Sequence, residues 1–300
     1  MQDKLLFVQF MHPGCEHSPD QGNRNHISWN TRKQHKRKFL KNPGKYLENN
    51  CSKDSDLVFW GEWEAQSDVI QNFDEIREGY PKYLYQPYYS ITHNKKGLQN
   101  TDPLVFGNNF HYVFCYQDQF SQLKSLKRGS VILFGSQKSG KFILDTVFVV
   151  DKYYELILDN NLSIEKIKSQ VSLVYADVTL SQIININNTC NTGSNNNCTK
   201  GSVFRLYFGA TVENLVDEMF SFFPCLPYKD NMIKGFKRPV IYIPEVINHG
   251  KNQGVKFTPS STSSAKATIQ DNYRNWQKVK EQVEAQKLKI GVYTELPQKR

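Results

Sequence analysis

Residues 130–150, SVILFGSQKSGKFILDTVFVV, constrain the fold more than any other stretch. Two apolar runs rich in β-branched and aromatic residues flank SQKSG, and Gly140 suits a positive-φ turn position, so the segment predicts a β-hairpin. The same residues imitate a phosphate-binding loop, because Gly135 to Lys141 supply G-x-x-x-x-G-K. A working loop of that kind continues with Ser or Thr, to hold magnesium, and then with a helix whose N–H groups face the phosphates. Phe142 stands at that position and a second strand pattern follows. The hairpin displaces the nucleoside-triphosphatase reading.

Strand-like runs recur at Leu5–Met11, 56–64, 110–116, 172–180 and 202–210, without the alternating βαβ order of a doubly wound sheet. Helices are expected in four places. A basic one runs to Leu40, capped by Asn30 or Thr31 and stopped by Asn-Pro-Gly at 42–44; a second spans 162–170. A third begins at Thr211 in TVENLVDEMF. In the last, Ile269, Tyr273, Trp276, Val279 and Val283 recur at helical spacing. The pattern predicts an α+β, β-rich fold: a curved antiparallel sheet or partly open barrel with peripheral helices. Residues 1–258 read as one elaborated domain, and 259–300 as a linker and a C-terminal helix packing on it, with GVYTEL as an added edge strand. The polar insertion at 186–200 reads as a loop.

Apolar residues make up 39% of the 300, but aromatics make up 13%, and large rings bury enough area each to supply a core. There is no apolar run of 18 residues, so no membrane helix is expected. The N-terminus reads as a first strand and not as a signal peptide, which suggests a cytoplasmic protein with reduced cysteines. The six cysteines, at 15, 51, 115, 190, 198 and 225, form no C-x-x-C pair. No metal and no cofactor are predicted.

The stretch LKRGSVILFGSQKSGKFILDTVFVV resembles the core hairpin of the PUA-like superfamily, including its ASCH and EVE domains. Gly129 matches the glycine of that pattern, and Ser130 replaces its usual Asp. The resemblance rests on residues 104–180 and implies a barrel core at about 104–245. Such domains bind RNA, or bases extruded from DNA that are often modified. HPGCEH, LVFWGEWE, LQNTDPLVFG, LDTVFVV and MFSFFPC are also similar to nucleotide-modification-associated domains, from which no residue role is carried over.

Charge and motif chemistry suggest where a ligand would sit. The net charge is +9, and residues 32–45 hold seven Lys or Arg and no acid. A field of one sign attracts phosphates, which makes Lys33, Lys36, Arg37, Lys38 and Lys41 the phosphate-binding candidates. In FWGEWE a strand puts Trp60, Glu62 and Glu64 on one face. Trp60, Trp63 and Tyr85 are candidates to stack on a base, with Glu62, Gln99 and Asn100 reading its edge. Alternatively the tryptophans are core, and the glutamates pair with the basic helix at 32–41. His12, Glu16 and His17, in a loop after the first strand, and Asp102 are the candidate acid–base groups. Asp145 and Thr146 interrupt an apolar strand, as a polar network or a pocket floor.

The first expectation is therefore a module that recognises a nucleotide or a modified base in nucleic acid, in DNA or RNA modification or anti-phage defence. The second is an enzyme that acts on a nucleotide or phosphorylated small molecule. The third is a protein-interaction component of a defence complex.

Overall fold

The computed structural model describes the chain except for residue 1 and residues 32–34, 74–76, 91–96, 158–160, 185–202, 231–233, 249–253, 261–262 and 265. Lys33 and the insertion at 186–200 therefore lie outside the described residues. The predicted hairpin is present. Strand β8 (Val131–Lys138) turns at Ser139 and Gly140, with φ of 50° and 73°, into β9 (Lys141–Ile157). Two positive-φ residues make the tight turn whose twist matches the strands it joins.

Around this hairpin stands a six-stranded sheet in the order β12-β1-β8-β9-β10-β7. Here β1 is Phe7–Met11, β7 His111–Tyr112, β10 Val203–Gly209 and β12 Gly254–Thr258. Only the β1–β8 pairing in it is parallel. The second sheet has the order β13-β11-β4-β3-β6-β5-β2. It is built on the long hairpin of β3 (Lys38–Glu48) and β4 (Cys51–Gly61), joined by β2 (His26–Ile27), β5 (Ser67–Asn72), β6 (Tyr83–Tyr89) and β11 (Phe223–Pro227). The strand β13 (Lys289–Thr294) pairs with β11 on one side and β3 on the other, so β13, β11, β4 and β3 close into a ring. The short β14 (Gln298–Lys299) adds to β6. The molecule is thus β-rich α+β with a partly closed barrel.

Both faces of the main strands are buried. Val8 and Phe10 of β1, Ile132 and Phe134 of β8, Leu40 of β3 and Phe59 of β4 fill one hydrophobic cluster. Phe7, Met11, Val131, Leu133, Phe39, Val58 and Trp60, from alternate positions of the same strands, fill the other. Strands covered on both faces read as continuous apolar runs, which is the pattern the sequence shows. The C-terminal helix, whose range is Ile269–Ala285, covers the second cluster, and its Trp276 donates to the Phe220 carbonyl at 3.0 Å. Thr268 and Asp271 cap its start reciprocally. The expected helix near 162–170 is there as Asn161–Lys168.

Four expectations are corrected. In the basic segment expected to be helical up to Leu40, residues 35–37 form no helix and Lys38–Leu40 begin strand β3, because Phe39 and Leu40 each supply a different core. Pro43 and Gly44 lie inside that strand, and a Cβ at Gly44 would come 2.3 Å from the Tyr293 carbonyl oxygen of β13. Residues 172–180 are helical, Leu173–Tyr175 running into a wider turn over Ala176–Leu180. TVENLVDEMF is a tight turn in which Asp217 and Glu218 take φ of 47° and 66° and Val216 bridges Met219. Finally, GVYTEL supplies an inner strand of the ring, not an edge.

Candidate active site at the junction of the sheets

Where the two sheets meet, the chain places several ionisable side chains together. His12 follows the end of β1, and its N–H continues the ladder to the Gly135 carbonyl at 2.8 Å. His35 and Arg37 precede β3. Glu62 and Glu64 follow β4, and both reach His35. Asp145 is the extra residue of a bulge in β9, since Phe134 pairs with Thr146 while the next residue, Gly135, pairs with Leu144. A bulge re-aims a side chain, here into the junction. Arg238 comes from the segment beside β9, where Leu144 N–H donates to the Pro239 carbonyl at 2.9 Å.

Glu62 is the hub. Its Oε1 meets His12 Nδ1 in a very short contact and lies 2.7 Å from an Arg37 guanidinium nitrogen; its Oε2 lies 3.2 Å from His35 Nε2. Arg37 Nε donates to Asp145 at 2.6 Å, and Arg238 donates to Ser136 Oγ and the Gly14 carbonyl, each at 2.6 Å. Glu64 Oε1 stands 2.5 Å from His35 Nδ1, while Asn30 Nδ2 donates to Glu64 Oε2 and, at 2.7 Å, to His17 Nε2. On the far side of the His12 ring, Nε2 is 2.9 Å from Cys115 Sγ. His12, Arg37, Glu62 and Glu64 are buried, whereas Cys115 is half-buried and the His35 side chain is 14% exposed. These two mark the side that meets solvent.

The packing leaves polar atoms unsatisfied. His35 Nδ1, Arg37 Nη1 and Nη2, Glu62 Oε2 and Glu64 Oε1 have no partner in hydrogen-bond geometry, although charges of opposite sign lie close by. Burial lowers the pKa of His12, outweighing its glutamate neighbour. For His35 burial acts the same way, but Glu62 and Glu64 overcome it and hold the ring up to about 10. Glu62 is held well below the carboxylate range: burial opposes ionisation, and Arg37 and the two histidines prevail. Burial raises the Cys115 thiol, helped by Asp102 and Glu62.

The structure sorts the sequence candidates clearly. His12, Arg37 and Glu62 meet in the cluster. His17 touches it through Asn30, and burial lowers its pKa to about 2. Glu16 points away and accepts from the N–H groups of Lys82 and Tyr83, at 2.8 and 3.2 Å through Oε1. Asp102 accepts from the N–H groups of Val113, Phe114 and Cys115 at 2.7–3.0 Å, so it fixes the loop carrying Cys115. The stacking candidates are core residues. Trp60 packs on Phe39 and donates to the Phe236 carbonyl, Trp63 donates to the Gln66 carbonyl, and the Tyr85 hydroxyl donates to the His17 carbonyl. The alternative reading of FWGEWE describes the buried tryptophans and the pairing of Glu62 and Glu64 with basic residues at 35–37, but those residues precede a strand and do not lie on the expected helix.

Gln99 acts through its backbone, which fixes Asn30 and Trp29, and Asn100 is buried. Of the phosphate candidates, Arg37 and Lys38 are fully buried and thus no part of a basic surface. Lys38 Nζ donates to the Ala65 carbonyl at 2.7 Å and Ser67 Oγ at 3.0 Å. Lys41 pairs with Asp56, and Lys36 is half-buried.

Sequence reading did not single out His35, Cys115 or Arg238 as site residues. Asp145 carried a signal, as an acid interrupting an apolar strand, and Glu64 another, as the alternate partner of Glu62. No protein-family model, curated protein or solved structure matches the chain.

Proposed function

We propose that the chain is an enzyme acting on a nucleotide or another phosphorylated small molecule at this junction. The observation that carries the reading is the cluster itself: buried carboxylates, guanidiniums and imidazoles whose hydrogen-bonding capacity is partly unused. Desolvating so many charges is costly, and apolar side chains would fill the same space at less cost. Unsatisfied buried polar groups call for an explanation, and active sites are where they concentrate. In this reading a substrate enters on the side of His35 and Cys115. Arg37 supplies the donors for a phosphate oxygen, because its Nη1 has no hydrogen-bond partner. Glu64 is the proton acceptor: its Oε1 makes no contact of hydrogen-bond geometry and lies 2.5 Å from His35 Nδ1, whose ring is partly exposed. The cationic balance of the chain favours encounter with anionic substrates.

The test is turnover of nucleotides, nucleosides and sugar phosphates followed by phosphorus and proton NMR. Turnover by the wild type that drops about 100-fold or more in Glu64→Gln, with an unchanged melting temperature, is the expected result. No turnover of any of these compounds, together with salt-sensitive oligonucleotide binding, would replace the enzyme with the nucleic-acid-binding module.

A further inference from the structure

We infer that His12 Nδ1, His35 Nε2 and Glu62 Oε2 form a site for one divalent first-row transition ion. The three side chains present ligand atoms that all lie within 4.8 Å of one another. The decisive separations are closer: the two imidazole nitrogens are 3.4 Å apart, and His35 Nε2 is 3.2 Å from Glu62 Oε2. Ligands held about 2.0–2.1 Å from a tetrahedral ion stand roughly 3.4 Å from each other. Two of the three donor–donor edges therefore already have the spacing of such a polyhedron, and the third lies between His12 Nδ1, now held by Glu62 Oε1, and the same carboxylate.

Three further features favour an ion over a self-sufficient hydrogen-bond network. Glu62 Oε2 is buried and, although His35 Nε2 lies 3.2 Å away, makes no contact of hydrogen-bond geometry, so an ion between the two would engage both. Each first-layer group also has a partner on its far side. Arg37 lies on Glu62 Oε1, Cys115 Sγ on His12 Nε2 and Glu64 beside His35 Nδ1. Outer groups of this kind orient metal ligands and tune their basicity. Charge agrees as well. Once His35 gives up its proton to ligate, three carboxylates (Glu62, Glu64 and Asp145) face two guanidiniums (Arg37 and Arg238), so a dication takes the place of the imidazolium charge. Two imidazoles and one carboxylate suit zinc or ferrous iron and leave a coordination position open. His35 is on the solvent side, so an ion has a way in.

This site stands on donor geometry and holds whether or not the chain turns over a phosphorylated substrate. The experiment is calorimetric titration of the chelator-treated full chain with Zn2+, with cobalt substitution as a second readout. One ion per chain and the intense visible bands of four- or five-coordinate Co2+ are expected. His35→Ala, at the partly exposed ligand, should abolish stoichiometric uptake while keeping the circular dichroism of the wild type. Glu64→Gln should weaken uptake about 10- to 100-fold, and His26→Ala, at a surface histidine, should leave it unchanged. Absence of uptake by the wild type, or equal uptake by folded His35→Ala, would overturn the inference. Uptake without turnover would leave the ion site standing and remove the enzyme reading instead.

Discussion

Arg37 joins the two sheets through single atoms, with Nε on Asp145 of β9 and Nη2 beside Glu62 after β4. Removing it leaves Glu62 to the two histidines and Asp145 to Arg238 at 3.4 Å, a large loss of compensating charge for two buried carboxylates. We expect Arg37→Met to lose about 3–5 kcal/mol in urea denaturation, since breaking a buried pair leaves an uncompensated charge. Lys38, one residue on, behaves differently. Burial lowers its pKa to about 7 from the ordinary 10.5. Between those values the unfolded chain binds more protons than the folded one, so this residue makes stability rise as pH climbs from 7 to 10.5. Below pH 7 both states hold the proton and the full cost is present. Denaturation midpoints across that range should rise less steeply in Lys38→Met than in the wild type. The sequence showed these two residues as part of a run of like charge, which ordinarily means a solvated face. What buries them is contact with Asp145, Glu62 and Ala65, and nothing local to 32–45 announces those partners. The same run concealed His35. Glu62 and Glu64 were legible because alternation between tryptophans is itself a local signal.

Elements follow the same division between local and distant causes. The β8–β9 hairpin could be read directly, since Ser139-Gly140 and the flanking β-branched residues specify it with no outside help. The C-terminal helix was equally readable from its spacing. TVENLVDEMF was misread because apolar residues at helical intervals also suit a turn whose side chains drop into one core; Val216 and Met219 do so. Strand β3 was misread because Asn-Pro-Gly normally ends an element, whereas here Gly44 admits the β13 backbone. Gly44→Ala should therefore cost about 1–3 kcal/mol through crowding against Tyr293. Thermal unfolding of this variant beside Gly22→Ala checks the mechanism: Gly22 has a φ of 91° but open space around it. A larger loss at Gly22 would show that backbone strain and not close approach dominates.

For the whole molecule, the fold class was visible in the count and order of strand patterns, but the ring was not. Its closure pairs Gly44–Leu47 with Ile290–Thr294, positions nearly the full chain apart. The other sheet likewise pairs Phe7–Met11 with Gly254–Thr258. No periodicity encodes such partners. Deleting residues 286–300 should open the ring and expose the edges of β3 and β11. We expect that product to run expanded on gel filtration and to lose the single cooperative urea transition. A compact, cooperative product would mean that the ring is dispensable. Contacts of this range also place the protein among slow folders, in milliseconds to seconds.

The ring has a consequence for synthesis. A ribosome delivers β3 and β4 early; the outer edge of β4 waits for β11, and the β3 edge that β13 fills stays open until residue 294 has left the exit tunnel. During that interval the hairpin is a substrate for chaperones, and the cluster at its root lacks the frame that holds it. A chain that stops short of β13 leaves β3 and β11 unpaired where the ring would close.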